Sequence, residues 1–165
     1  NAYIEGGKLR LPIEEVVDLA HLEGETVWAL ADGDVVGPLT VANATVALPS
    51  PASRVHVGLR IIADLETLDL EPTQGTIQGL MKVLPTVSVR LENTRGLKIG
   101  PTVATLREPK WREAEAMGDP TAMFTGDKKE TTQTIPGRLS RVFMRQMYPL
   151  PATVLSVVPD VVLED

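Results

Sequence analysis

The stretch LEGETVWALADGDVV, residues 22–36, decides the fold. From Thr26 it alternates: Thr26, Trp28 and Leu30 fall on one side of an extended chain, and Val27, Ala29 and Ala31 on the other, because successive strand side chains point to opposite faces. Asp32-Gly33 is a favoured pair for a two-residue type I′ turn, in which both central residues take positive φ. The spacing predicts a returning strand over Asp34 to Val36, ended by Gly37-Pro38. LTVANATVAL (39–48) supplies two more strand candidates around Asn43, PSPAS (49–53) reads as a loop, and VHVGL (55–59) as a further strand. Four or five short strands over about forty residues predict a small barrel or sandwich module. A lone hairpin is marginal in water, so this module must close on itself or pack on the rest of the chain.

Upstream, NAYIEGGKLRLP reads as an edge strand or linker with Gly6-Gly7 as a joint. In 13–25 the apolar residues Ile13, Val16, Val17 and Ala20 fit a helical spacing, while Val16 to Leu19 fits a strand; the connector-like corner Leu22-Glu23-Gly24 favours the strand. Downstream, 59–71 continues as strand or irregular extended chain, and EPTQGTIQG (71–79) is expected to be an exposed loop. VLPTVSVRLENTRGLKIG (83–100) alternates cleanly: Val87, Val89 and Leu91 share one face, Ser88, Arg90 and Glu92 the other. Pro85 sits near its start, where a missing ladder donor is tolerated. The polar run 107–123 fits one or two helical turns around Arg112 to Met117, or a long loop. RVFMRQMY (141–148) and PATVLSVVPDVVLE (151–164) read as a strand pair joined at Pro149-Leu150-Pro151. The fold expected is all-β: a small barrel-like module over 1–59, then an antiparallel sandwich-like module over 60–165.

Composition supports that class and narrows the chemistry. The 165 residues are 43 % hydrophobic but only 4 % aromatic, so the core must be built from Val, Leu, Ile and Met. Thirteen glycines and thirteen prolines cut the chain into short pieces, as strands with frequent turns require. A net charge of −6 gives no overall basic field for nucleic acid or an anionic membrane. With no cysteine there are no disulfides, thiolate metal ligands or thiol nucleophiles. No apolar run reaches the roughly 18 residues that span a bilayer, and no basic-then-apolar leader opens the chain; a membrane anchor is not expected. The first residue is Asn rather than Met, so a fragment or processed product is expected.

The residues with chemical potential each have a plainer role. There is no G-x-S-x-G elbow, P-loop, H-E-x-x-H or calcium loop. Gly75 and Gly79 lack the Lys-Ser/Thr pair of a phosphate cradle and read as a loop tip. His56 alternates with Val55 and Val57 and reads as a solvent- or partner-facing strand histidine; His21 precedes a corner and reads as locally hydrogen-bonded. Asp64 and Glu66 would share a strand face and repel slightly, with Asp69 pointing away. Asp127-Lys128-Lys129-Glu130 reads as a solvated turn. Arg138, Arg141 and Arg145, with Phe143 between them, form a weak basic stretch expected on an exposed strand face or paired to an acidic neighbouring subunit. No catalytic residue, cofactor or metal site is expected.

Several stretches together carry a family resemblance: HLEGETVWALADGDVV (21–36), LPSPASRVHVGLR (48–60), DLETLDLE (64–71), MFTGDKKE (123–130) and PLPATVLSVVPDVVLED (149–165). From about residue 20 to the end, the chain resembles the C-terminal portion of structural tail proteins of tailed bacteriophages and prophages, of the kind that build tail tubes or nozzles. Many of these carry a small β-barrel similar to the first-catalytic-cysteine half-domain of ubiquitin-activating enzymes. Arg60-Ile61-Ile62-Ala63, where family members often have a Tyr-Thr-Ser-like string, and TTQTIPG (131–137) depart from the pattern. The resemblance implies a non-enzymatic virion component assembled in the host cytoplasm. Its partners would be copies of itself and other tail or connector proteins, with transient contact to genomic DNA. The alternative expectation is a protein- or glycan-binding β-module acting through the loops 71–79 and 107–122.

Overall fold

The computed structural model describes residues 3–5, 8–70, 79–116, 119–132, 136–137 and 140–164. Within them the protein is all-β, with thirteen strands, two single-turn 3-10 helices and small antiparallel sheets. Contacts divide the chain into two compact units, one of residues 1–61 with 115–121, the other of 62–114 with 122–165. The return of 115–121 to the first unit has no signature in the alternation pattern.

In the first unit, β1 (Tyr3–Glu5) pairs with β2 (Lys8–Arg10). β3 (Ile13–Val16) pairs with β6 (Val46–Ala52), and β4 (Thr26–Ala31) lies between β5 (Asp34–Thr40) and β7 (Val55–Leu59). The opening hairpin forms as its sequence dictates: Ala31 stands opposite Asp34, and Asp32 and Gly33 turn with φ of 49° and 94°. Val27 and Ala29 are fully buried, and Val27 joins Leu19, Val41 and Val46 in a core that Val16, Leu22, Leu39 and Val57 flank.

Two boundaries differ from expectation. β5 does not stop at Gly37-Pro38 but runs to Thr40, with a bulge that sets Gly37 and Pro38 against Trp28 alone. β5 is an edge strand, where a proline without an N–H costs no ladder bond. Gly37, at φ +148°, is required there by contact, since a Cβ would stand 3.0 Å from the Trp28 ring. Similarly, 49–52 is not loop but the second half of β6, again at a sheet edge that accepts Pro49 and Pro51. The ambiguous 13–25 segment resolves into β3 followed by a 3-10 turn, Ala20–Leu22.

The turns of this unit are fastened by carboxylates. Asp32 Oδ1 and Oδ2 accept the N–H groups of Arg54 and Ser53, both at 2.7 Å, joining the β4–β5 turn to the β6–β7 turn. Glu23 accepts from Asn43 and Ala44, whose positive φ values make the tight turn closed by the Ala42–Thr45 bridge.

The second unit has two three-stranded sheets. One has the order β10 (Lys98–Gly100), β12 (Phe143–Gln146), β8 (Ala63–Glu66); the other β11 (Phe124–Thr131), β9 (Met81–Thr94), β13 (Thr153–Glu164). Both sheets contribute to one core. β9 supplies Leu84, Val87, Val89 and Leu91, while Ile99 and Met144 come from β10 and β12. Pro85 falls at a bulge of β9 opposite β13, where pairing is already interrupted. β12 and β13 are not the strand pair that their adjacency suggests. β8 and β10 occupy both edges of β12, and β13 crosses to the edge of β9. The joint 147–150 is organised by buried Gln146, whose amide donates to the carbonyls of Arg95 and Leu150 while its oxygen accepts from Met147 and Tyr148.

The polar run 107–123 forms no helix among its described residues. Its first part, 107–114, is irregular chain tied to β10 by a bridge between Ile99 and Arg107 and anchored by Trp111, which is buried edge-on to Phe124 at 6.4 Å.

Candidate functional site

The acidic and basic groups that the sequence sets far apart are partners in the structure. The antiparallel register places Arg145 opposite Asp64 and Phe143 opposite Glu66, so β8 presents its carboxylates to the arginines of β12 and its approach. Arg145 donates to both oxygens of Asp64, at 2.6 and 2.7 Å. Arg141 donates to both oxygens of Asp69, at 2.9 and 3.3 Å, and to Glu66 at 3.2 Å. The Arg145 guanidinium also lies 5.6 Å from the Phe143 ring centroid. Asp69, expected to point away, joins Glu66 on Arg141, and the slight repulsion expected between Asp64 and Glu66 is offset by the arginines. Each charge is met within the chain. Arg138 lies outside the described residues.

The pairing polarises the ladder. The hydrogen bond from Arg145 holds the Asp64 carboxyl below its ordinary range, against an opposing contribution from burial. Arg141 does the same for Asp69, with Lys82 and the Ser140 N–H adding to the effect. Both guanidiniums are raised in turn, each chiefly by its aspartate hydrogen bond. A carboxylate fixed as the anion in a bidentate arginine pair is poorly suited to general acid–base work, which needs a pKa near the working pH.

Residues 127–130 are likewise not a turn. They lie in β11, exposed and half-buried in alternation. Asp127 takes a bidentate bond from Arg90 of β9 at 2.8 and 2.9 Å, which lowers its pKa. Lys128 reaches Glu113 at 2.6 Å and lies 4.2 Å from the Phe124 ring centroid. Glu130 is raised, because burial outweighs the attraction of Lys128 and Arg107.

Both histidines are exposed, His21 in the 3-10 turn and His56 on β7 opposite Leu30. Of the loop 71–79, residues 71–78 lie outside the described residues, and Gly79 turns at φ +85°. Among the described residues, no group of three or more His, Asp or Glu side chains is placed to hold a metal ion, and no helix is long and apolar enough to cross a membrane. No family model and no curated protein matches the chain.

What the sequence reading left unassigned is the outer surface of β13. Val154 and Val157 pack on the core, whereas Leu155, Val158, Val162 and Leu163 are 45–61 % exposed. The signal was present in TVLSVVPDVVLE, which is apolar at positions of both parities, the pattern of a strand covered on both faces. β13 is also a sheet edge, with β9 on one side only.

Proposed function

We propose that the chain is a non-catalytic structural component that assembles through its β-sheets. The observation carrying this reading is β13, an edge strand of twelve residues with large apolar side chains turned to solvent. Four large apolar side chains exposed along one edge strand are the kind of surface that marks an interaction site. Support also comes from the charged residues, which are engaged in ion pairs and turn caps rather than converging on a shared point.

Within this reading, the resemblance of 21–36, 48–60, 64–71, 123–130 and 149–165 to phage tail proteins makes the assembly a ring or tube of copies in a virion tail, through which a genome passes. The net charge of −6 suits that role, since an acidic lining repels phosphate instead of binding it. Size-exclusion chromatography with light scattering tests the assembly. The full chain is expected to form a closed oligomer that Leu155→Asp with Val158→Asp disperses into folded monomers. A wild-type chain that stays monomeric at every concentration overturns the reading.

A further inference from the structure

The segment 63–69 is attached to its unit in a different way from every strand around it. All four residues of β8 are exposed, so neither face is fully covered. Leu65 is 45 % and Leu68 87 % exposed, while Met144, across from Leu65, is buried at 1 %. β8 therefore buries little apolar surface of its own, although it shields the edge of a strand that is almost wholly core.

Three things hold it. One is the four-residue ladder to β12. A second is a pair of bonds at Thr67, whose N–H donates to Val142 while its Oγ1 accepts the Val142 N–H. The third is the set of charged contacts, in which two arginines grip three carboxylates. The side chains of those ion pairs are 24–49 % exposed, within reach of dissolved ions. Ion pairs of that exposure weaken with salt, whereas apolar burial, which holds β9 and β12, does not. Local opening begins where few apolar contacts must be broken.

We propose that residues 63–69 are a charge-fastened strap over the edge of β12, which opens before the rest of the second unit and opens more readily as ionic strength rises. An unpaired edge is a template for another chain, and covering it is a recognised safeguard. Here the cover is held by charge. The strap acts in a single chain, independently of whether copies assemble through β13.

Hydrogen exchange of the full chain, read by mass spectrometry at about 0.05 M and about 1 M salt, where the Debye length shrinks to ~3 Å, tests this. Amides of 63–69 are expected to exchange at least ~10-fold faster than those of Val87 to Leu91 at low salt, a difference of ~1.4 kcal/mol in opening. High salt should accelerate the strap and leave β9 unchanged. Arg145→Gln should speed strap exchange at low salt and shrink its salt response. The swap of Asp64→Arg with Arg145→Asp, which keeps a pair, should restore both and guards against a single variant that merely unfolds. Strap exchange as slow as β9, or insensitive to salt in the wild type, overturns the proposal.

Discussion

The two units use acidic side chains in opposite ways. In the first, Asp32 and Glu23 accept backbone N–H groups and so lock tight turns, each carboxylate joining segments about twenty residues apart. In the second, Asp64, Asp69 and Asp127 meet guanidiniums across strands. A carboxylate that accepts two successive backbone N–H groups specifies conformation, because it binds them only in the turn geometry that aims both at it. A carboxylate on an exposed arginine adds little stability but responds to salt and acid. Both units have an apolar core; in the first, carboxylates also fix turns, and in the second they pair with arginines at the margins.

Each unit contains one of the two tryptophans, Trp28 in the first and Trp111 in the second, so fluorescence of Trp→Phe variants reports on the units separately. The largest effect is expected from Leu91→Ala, which empties a fully buried site of the second core and should cost about 2–5 kcal/mol in denaturant unfolding followed at Trp111. An equal loss at Trp28 would show that the units unfold together and would break the distinction. Next, Gly37→Ala drives a Cβ toward the Trp28 ring at positive φ and should destabilise the first unit by more than about 1 kcal/mol, with altered Trp28 emission. Glu23→Ala hands the N–H groups of Asn43 and Ala44 to water and should cost about 1 kcal/mol, as loss of a helix cap does.

Acid distinguishes parts of the second unit. Asp64, Asp69 and Asp127 have folded pKa values below the ordinary 3.8, so the folded state binds fewer protons than the unfolded state. Their stabilisation is present above that value and is lost as pH falls through the lower folded values. Glu130 is raised and works the other way, its ionisation opposing the fold as pH rises past its ordinary 4.5. Strap amides should therefore lose protection in acid below about pH 4 before the Val87 to Leu91 amides do. The smallest effect is expected from Arg90→Gln, whose pair with Asp127 is almost 60 % exposed on both sides; thermal unfolding should barely shift.

Alternation and turn chemistry made much of the fold readable. The hairpin at Asp32-Gly33, the buried Val87, Val89 and Leu91, and the strand Val55–Leu59 all follow from period-two patterning and one turn pair. Prolines misled the reading: Gly37-Pro38, Pro49 and Pro51 look like breaks but sit in edge strands, and edge position is a tertiary fact that local sequence does not contain. Polar runs misled it too. FTGDKKET hides a strand because Asp127 is paired to Arg90 of β9 and Lys128 to Glu113, and 107–114 hides the core anchor Trp111. The ladder of Asp64, Glu66 and Asp69 with Arg141 and Arg145 was unreadable for the same reason. Its partners lie about 72–81 residues apart, and only the β8–β12 register brings them together.

The central claim, assembly through β13, is tested most directly by sedimentation velocity of the full chain over a concentration series, beside the Leu155→Asp, Val158→Asp double variant. A discrete oligomer is expected for the wild type and a folded monomer for the variant, with Trp111 unfolding little changed. A wild type that sediments as a monomer throughout, or a variant that retains the oligomer, would contradict it.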